Sequence, residues 1–290
     1  MEKFATRYVV LLGATLAMFA NFIACGAQMY RISMEGDFAD EKIPPEAKDK
    51  KAPQFGIHAL EGWKDLPIKF SLGKEITPVQ KKGLLKAMKT WETAVGKQLF
   101  EFVGQDDRNG DSFDDLYSSL NDSVNGHYMD DNWNKTGKPQ VVLATTIWDN
   151  YDQDTIDTAD IRFNSNYYMI LDSLDEEGIH LTSVNSDKGI VDMQSLALHE
   201  LGHLLGLAHV SDEDDSYSIM NPSLYIGPGL TSRKLSYGDI SRIQKIYGCE
   251  GETCDVAQLH LSMEQNEDLP PAKDAHANEE SDDNQEEIGS

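Results

Sequence analysis

Apolar residues recur at helical spacing in two parts of the 290-residue chain, and a third part has residues typical of helix ends. The first part follows Thr77 and Pro78, because threonine can cap a helix and proline fits its first turn. Its apolar positions are Leu84, Leu85, Met88, Trp91 and Val95, and we expect Trp91 in the core. The second part follows Asp192, which can cap a helix, and the third lies between a cap at Ser236 and a stop at Gly248. The pattern therefore predicts three helices.

Alternating or β-rich runs predict the strands. Residues 66–71 form a short alternating run, and residues 138–148 form a longer run rich in Val, Thr and Ile that we expect to be a central strand. Residues 155–164 alternate around two apolar positions, and residues 167–170 form a further short run. All four runs precede the second predicted helix.

The second helix carries histidines at a spacing typical of a catalytic zinc site. His199 and His203 lie one turn apart, so both imidazoles can reach one metal ion, while Glu200 projects beside them toward a water molecule. Gly206 can end the helix and turn His209 back as a third ligand. Three protein ligands with one open position indicate a catalytic site. Two alternatives remain: a buried helix whose histidines make ordinary hydrogen bonds, and a zinc site without turnover.

These residues resemble the metzincin clan of zinc metallopeptidases, in which a downstream Met-turn accompanies the extended histidine motif. Met220 is the matching methionine, and the resemblance implies an apolar floor beneath the metal. Residues 235–248 are similar to the C-terminal helix of matrixins, one branch of that clan. The resemblance implies a zincin-like α+β fold: a mixed, twisted β-sheet with the active-site helix below it and a C-terminal helix.

The resemblance also implies a mechanism. Zinc would be held by the three histidines, and Glu200 would take a proton from the attacking water and pass it to the leaving amine. Protein or peptide substrates would lie extended along a sheet edge, formed either by residues 155–164 or by residues 167–170. Tyr225 could line a specificity pocket or assist the oxyanion, although simple packing explains it equally well.

The N-terminal segment has the features of a secretion signal. Lys3 and Arg7 precede an apolar run over residues 8–24, which is too short for a comfortable membrane span. Residues 23–25 resemble the lipobox of bacterial lipoproteins, in which Cys25 would be lipidated after cleavage. Ordinary cleavage nearby and an uncleaved anchor are the alternatives.

Composition then divides the chain. We expect a signal peptide at residues 1–24, a polar tether at 25–58, the peptidase domain at 59–248 and an acidic, disordered tail at 249–290. Cys249 and Cys254 would form a disulfide in an oxidising compartment or remain free thiols.

Charge narrows the choice of partners. The formal net charge of −25 opposes binding to nucleic acid or to an anionic membrane surface. We therefore expect contact with the membrane only through the lipid, and we also expect a monomer. It would be anchored at a bacterial outer membrane or cell surface, or else secreted.

Three further segments contain residues that can bind metals. Asp107, Asn109 and Asp111 alternate like half of a calcium loop, which would suit a calcium-binding module, but a solvated loop is the alternative. His127 lacks a partner at metal spacing, so we expect a surface histidine. Only His180 could supply nitrogen to a second, structural zinc of the kind found in animal matrixins, and we do not predict that ion.

Overall fold

A computed structural model describes residues 30–33, 56–149, 154–175, 178–179 and 187–265. The predicted signal peptide, Cys25, His180 and most of the predicted tether lie outside these residues. Within them, no helix combines the length and apolar character needed to cross a bilayer.

The described residues form short strands and four α-helices. The strands are β1 (Tyr30–Ser33), β2 (Gly62–Trp63), β3 (Ile68–Gly73), β4 (Phe100–Asp106), β5 (Gly126–Asp130), β6 (Ala144–Asp149), β7 (Thr155–Ile156), β8 (Thr158–Asn164), β9 (Tyr168–Leu171), β10 (Gly189–Asp192) and β11 (Ser223–Ile226). The helices are α1 (Pro78–Val95), α2 (Met193–Leu204), α3 (Tyr237–Tyr247) and α4 (Val256–Gln265). This is the expected α+β class.

Five strands form the main sheet in the order β4-β3-β5-β8-β6. All neighbours are parallel except β6, which runs antiparallel to β8. The expectation of a central strand in residues 138–148 is wrong, because β6 forms the edge of this sheet. Its residues 144–147 are nevertheless buried, since α2 contacts the strand and so does the 3-10 helix Tyr117–Asp122. The apolar character of this run therefore reflects helices packed against β6, and not neighbouring strands on both of its edges.

Three smaller sheets pair β2 with β7, β9 with β10, and β1 with β11. β1 corrects the tether prediction, because residues 30–33 lie antiparallel to residues 223–226. The end of that tether is also structured: Ile57 forms a β-bridge with Leu207 and is buried. Pairing with distant strands orders these residues, and their own polar composition does not reveal it.

α1 begins as its sequence predicts. Thr77 and Gln80 form a capping box, and Gly96 ends the helix with a φ of 67°. Trp91 is fully buried, and its Nε1 donates to the carbonyl oxygen of Leu198 at 2.9 Å. α1 therefore packs against α2, the helix that carries His199 and His203, and helps to fix its position.

The C-terminal part of the domain also follows its predicted boundaries. Ser236 and Asp239 form a capping box for α3, which ends at Gly248 with a φ of 72°. Cys249 and Cys254 are joined by a disulfide. The prediction of a disordered tail is wrong for residues 256–265, which form α4 and bury Leu259 against the core. The overall acidic composition does not reveal that α4 has one apolar face, which packs against the folded domain.

Candidate metal centre

α2 and the turn after it bring three histidines together. The Asp192 side chain caps the helix by accepting a hydrogen bond from the Ser195 N–H. Gly206 follows the last turn with a φ of 104°, and a Cβ there would lie 2.9 Å from the Ala59 carbonyl oxygen. Only glycine fits both constraints. The predicted turn at Gly206 therefore exists, and it returns His209 to the helix.

The three ligand nitrogens face one another. The Nε2 atoms of His199 and His203 are 3.0 Å apart, those of His203 and His209 are 3.1 Å apart, and those of His209 and His199 are 3.3 Å apart. Zinc–nitrogen bonds of about 2.0–2.1 Å in a tetrahedron place ligand nitrogens about 3.3 Å apart. The observed spacing fits three corners of such a tetrahedron, so these residues could hold a zinc ion.

Backbone carbonyls orient two of the imidazoles. Nδ1 of His199 donates to the Ile219 oxygen at 2.7 Å, and Nδ1 of His203 donates to the Leu207 oxygen at 2.8 Å. Because a carbonyl only accepts, each Nδ1 carries the proton and each Nε2 presents its lone pair. Burial lowers the pKa of His199 to about 3 and that of His209 to about 4. Neutral imidazoles, the form that binds metal, are thus favoured.

Glu200 lies beside these ligands and is almost fully buried. Burial raises the pKa of its carboxyl group to about 7, and a hydrogen bond from Thr146 opposes that rise. The Thr146 hydroxyl lies 2.7 Å from Oε2 and 3.1 Å from the Glu200 backbone oxygen. Thr146 was not singled out from the sequence, because only strand pairing places the edge strand β6 against α2.

Met220 lies beneath α2. Its side chain is fully buried, and a Cβ added at Gly202 would overlap its sulfur. The Val210 N–H donates to the Met220 oxygen at 3.0 Å, and the Asn221 amide donates to the Val210 oxygen at 2.9 Å. The methionine turn therefore packs against the helix between its two histidines and is tied to the residue after His209.

α3 holds this turn through a polar network that sequence reasoning missed. The Asp239 carboxylate is fully buried. It accepts from the Ile219 N–H at 2.9 Å, from the Ser218 hydroxyl at 2.5 Å and from Arg242 at 2.7 Å. Arg242 also donates to Asp215 at 3.3 Å. Since the Ile219 oxygen orients His199, the network reaches the metal ligand. In the sequence, Asp239 belongs to residues 235–248, where the resemblance to matrixins indicates a helix but not the partners of its side chains.

The calcium site at Asp107, Asn109 and Asp111 stays a prediction. Among the described residues, the three histidines are the only group of three or more His, Cys, Asp or Glu side chains whose ligand atoms converge. Asn109 is buried and accepts from the Ser112 hydroxyl at 2.9 Å, while Asp107 is exposed and Asp111 is half-buried. Arg108, between Asp107 and Asn109, forms ion pairs with two other aspartates of this segment.

Two other predicted positions differ in their outcome. The expectation of a surface histidine at His127 is wrong: the residue is fully buried on β5, its ring centroid is 5.1 Å from that of Phe70, and burial lowers its pKa to about 4. β5 lies between β3 and β8, and this central position is hidden in a polar stretch of sequence. Tyr225 lies half exposed on β11, opposite Arg31, and its pocket role stays a prediction.

The likeness to known proteins covers the same region. The family model for matrixins, peptidase family M10, matches residues 76–248, which is more than half of the chain. Over 59 residues the chain is 48% identical to Metalloendoproteinase 5-MMP of Arabidopsis thaliana, covering 20% of this chain and 15% of the relative. Over 89 residues it is 40% identical to human Matrix metalloproteinase-21, covering 30% and 14%.

A third relative, Matrilysin of the cat Felis catus, is 47% identical over 58 residues, covering 20% of this chain and 21% of the relative. The chain thus spans only 14 to 21% of the length of these three relatives. The family model, however, extends from the helix cap at Ile76-Thr77 through the metal centre to Gly248. The chain therefore belongs to the matrixin family of zinc metallopeptidases.

Proposed function

We propose that the protein is a zinc-dependent endopeptidase that hydrolyses peptide bonds in extended protein substrates. The observation that carries this proposal is the convergence of three Nε2 atoms within 3.0–3.3 Å of one another, with Glu200 next to His199 on the same helix. A helix and turn built only for packing have no reason to point three uncharged imidazole nitrogens at one position.

The chain's own residues have distinct tasks. Zinc, when bound, supplies Lewis acidity that polarises a peptide carbonyl and acidifies water. The histidines hold the ion, and the Ile219 and Leu207 oxygens hold two of the rings. Glu200 takes a proton from the attacking water and later delivers it to the leaving nitrogen. Thr146 donates a hydrogen bond to Oε2 and so helps to position the carboxylate.

The substrate would pair with β6. Of the two segments considered from the sequence, β8 has neighbours on both sides, β5 and β6, and β9 pairs with β10 outside the main sheet. β6 has β8 on one side only in the described sheet, and Thr146 connects it to Glu200. A peptide added as a further strand would pass the metal centre with its backbone hydrogen-bonded to β6.

The proposal also includes a location: the protein is exported and anchored at the cell surface by a lipid. The lipobox-like residues 23–25 support export and lipidation of Cys25, and two or more acyl chains would anchor the protein without a spanning helix. The net charge of −25 supports contact with the membrane through the lipid alone. Metabolic labelling with a fatty acid tests this, with Cys25→Ser as the control. Equal labelling of both proteins would refute the anchor.

The test of the peptidase compares the full chain with Glu200→Ala. Zinc content is measured for both proteins, and cleavage of casein and of a peptide library is followed with and without a zinc chelator. We expect about one zinc per chain in both proteins and cleavage only by the zinc-loaded, Glu200-containing protein. Equal cleavage by both proteins would refute the role of Glu200. Zinc binding without cleavage by the unsubstituted chain would indicate a zinc-binding lipoprotein instead.

A further inference from the structure

One aromatic pair connects the edge strand to the end of the histidine helix. The rings of His58 and Trp148 are stacked with centroids 4.1 Å apart and an angle of 24° between their planes. Nε2 of His58 donates to the backbone oxygen of His203 at 2.9 Å, and the His58 N–H donates to the Gly206 oxygen at 2.9 Å. Residue 58 is therefore held against the metal-binding turn, and it supports the indole.

The alternation of β6 places this pair on the same side as the reacting groups. Side chains two residues apart in a strand lie on one face. Thr146 points toward α2, because its hydroxyl contacts Glu200. Trp148 lies on that same face, one side-chain position further along. Unlike Thr146, both Trp148 and His58 remain partly exposed.

We propose that Trp148, supported by His58, forms a substrate subsite for one aromatic or large apolar side chain. This inference rests on the proposed function, since it assumes a peptide paired with β6. In such a pairing, directly opposite residues have Cβ atoms about 4.5–5.5 Å apart. The substrate residue opposite Trp148 would contact the indole, two residues from the one opposite Thr146. The subsite is chemically suited to rings and long aliphatic chains because its surface is formed by two stacked aromatic rings.

Peptide binding tests the subsite without requiring turnover. Zinc-loaded Glu200→Ala protein is titrated into fluorescein-labelled dodecapeptide libraries, each with one position fixed as Phe, Leu, Ala, Lys or Asp, and fluorescence polarisation reports the affinity. We expect a preference for Phe and Leu at one position. Trp148→Ala in the same background should reduce that preference about three- to tenfold, the size of one aromatic contact.

Four further variants separate packing from recognition. Leu85→Ala, a partly exposed apolar residue of α1, removes similar material elsewhere and should leave the preference unchanged. His58→Phe keeps a ring beside Trp148 and should retain the preference, whereas His58→Ala should lose part of it. Trp148→Leu keeps most of the apolar volume, so it folds even if the alanine variant does not, and it should lose the advantage of Phe over Leu.

The possible outcomes test the subsite proposal and the proposed peptidase function separately. Trp148-dependent preference in binding, with no cleavage by the unsubstituted chain, would uphold the subsite and refute the proposed function. Cleavage with a preference that Trp148→Ala and Trp148→Leu leave unchanged would refute the subsite alone. A preference for Lys at this position would also overturn it, and the absence of any peptide binding would overturn both.

Discussion

Replacing Thr146 with valine tests how the edge strand controls the general base. Valine has nearly the same shape as threonine but cannot donate a hydrogen bond, so the substitution removes the 2.7 Å contact to Oε2 of Glu200. That contact lowers the pKa of the Glu200 carboxyl group, whose burial raises it to about 7. Without the hydroxyl, the pKa of Glu200 rises further, because the charged carboxylate accepts this bond more strongly than the neutral acid does.

The size of the effect follows from the type of bond. A hydrogen bond to a charged group contributes about 1.5–3 kcal/mol. One pKa unit corresponds to about 1.4 kcal/mol. The Glu200 pKa in the variant should therefore rise by about one to two units. A base must be unprotonated to act, so the acidic limb of the rate profile moves to higher pH, and the rate well above that limb changes little.

The assay is kcat/KM for peptide cleavage by the zinc-loaded enzyme, measured across pH for the unsubstituted chain, Thr146→Val and Thr146→Ser. Serine keeps a hydroxyl and should restore most of the unsubstituted profile. Thr145→Val is the matched control, since Thr145 is the neighbouring residue of β6 and its Oγ1 has no hydrogen-bond partner among the described residues. An unmoved limb in Thr146→Val, or an equal shift in Thr145→Val, would refute the reasoning.

Three further predictions concern stability and metal binding. Arg162→Met leaves the fully buried Asp130 carboxylate without its guanidinium partner, so urea denaturation should show a loss of about 3–5 kcal/mol; a loss below about 1 kcal/mol would contradict this. Asp239→Asn weakens the support of Ile219 and hence of His199, and chelator competition should show zinc affinity falling by about tenfold or more with secondary structure unchanged. Metal-free protein should lose stability as pH falls from about 6.5 toward 4. Burial lowers the pKa of His199 in the folded state, so the unfolded chain binds more protons over this range. Urea titrations that show constant stability from about pH 6.5 to 4 would contradict this prediction.

The sequence predicts those parts of the structure whose interactions are local. The capping box of Thr77 and Gln80 spans one turn, and the same holds for Ser236 and Asp239 in α3. The metal ligands His199 and His203 are one helical turn apart, and Gly206 supplies the positive φ that the turn to His209 requires. Each feature depends on backbone geometry within a few residues, so residue type and spacing suffice to predict it.

Composition was a poorer guide where a segment is ordered by distant residues. The polar residues before the domain contain β1, which exists through pairing with β11. The acidic segment after Gly248 contains α4, which buries Leu259. His127 is buried although its sequence neighbours are mostly polar. In each case the surface that covers the segment belongs to another part of the chain.

The sequence by itself therefore predicted the three converging histidines, the starts of α1, α2 and α3, and the resemblance to matrixins. Only the tertiary structure decided which strand forms the sheet edge beside the metal and which residues support the ligands. The hydroxyl of Thr146 reaches Glu200 across 54 residues, and His58 reaches the His203 oxygen across 145. Such contacts depend on strand order and packing, which no local pattern of residues encodes.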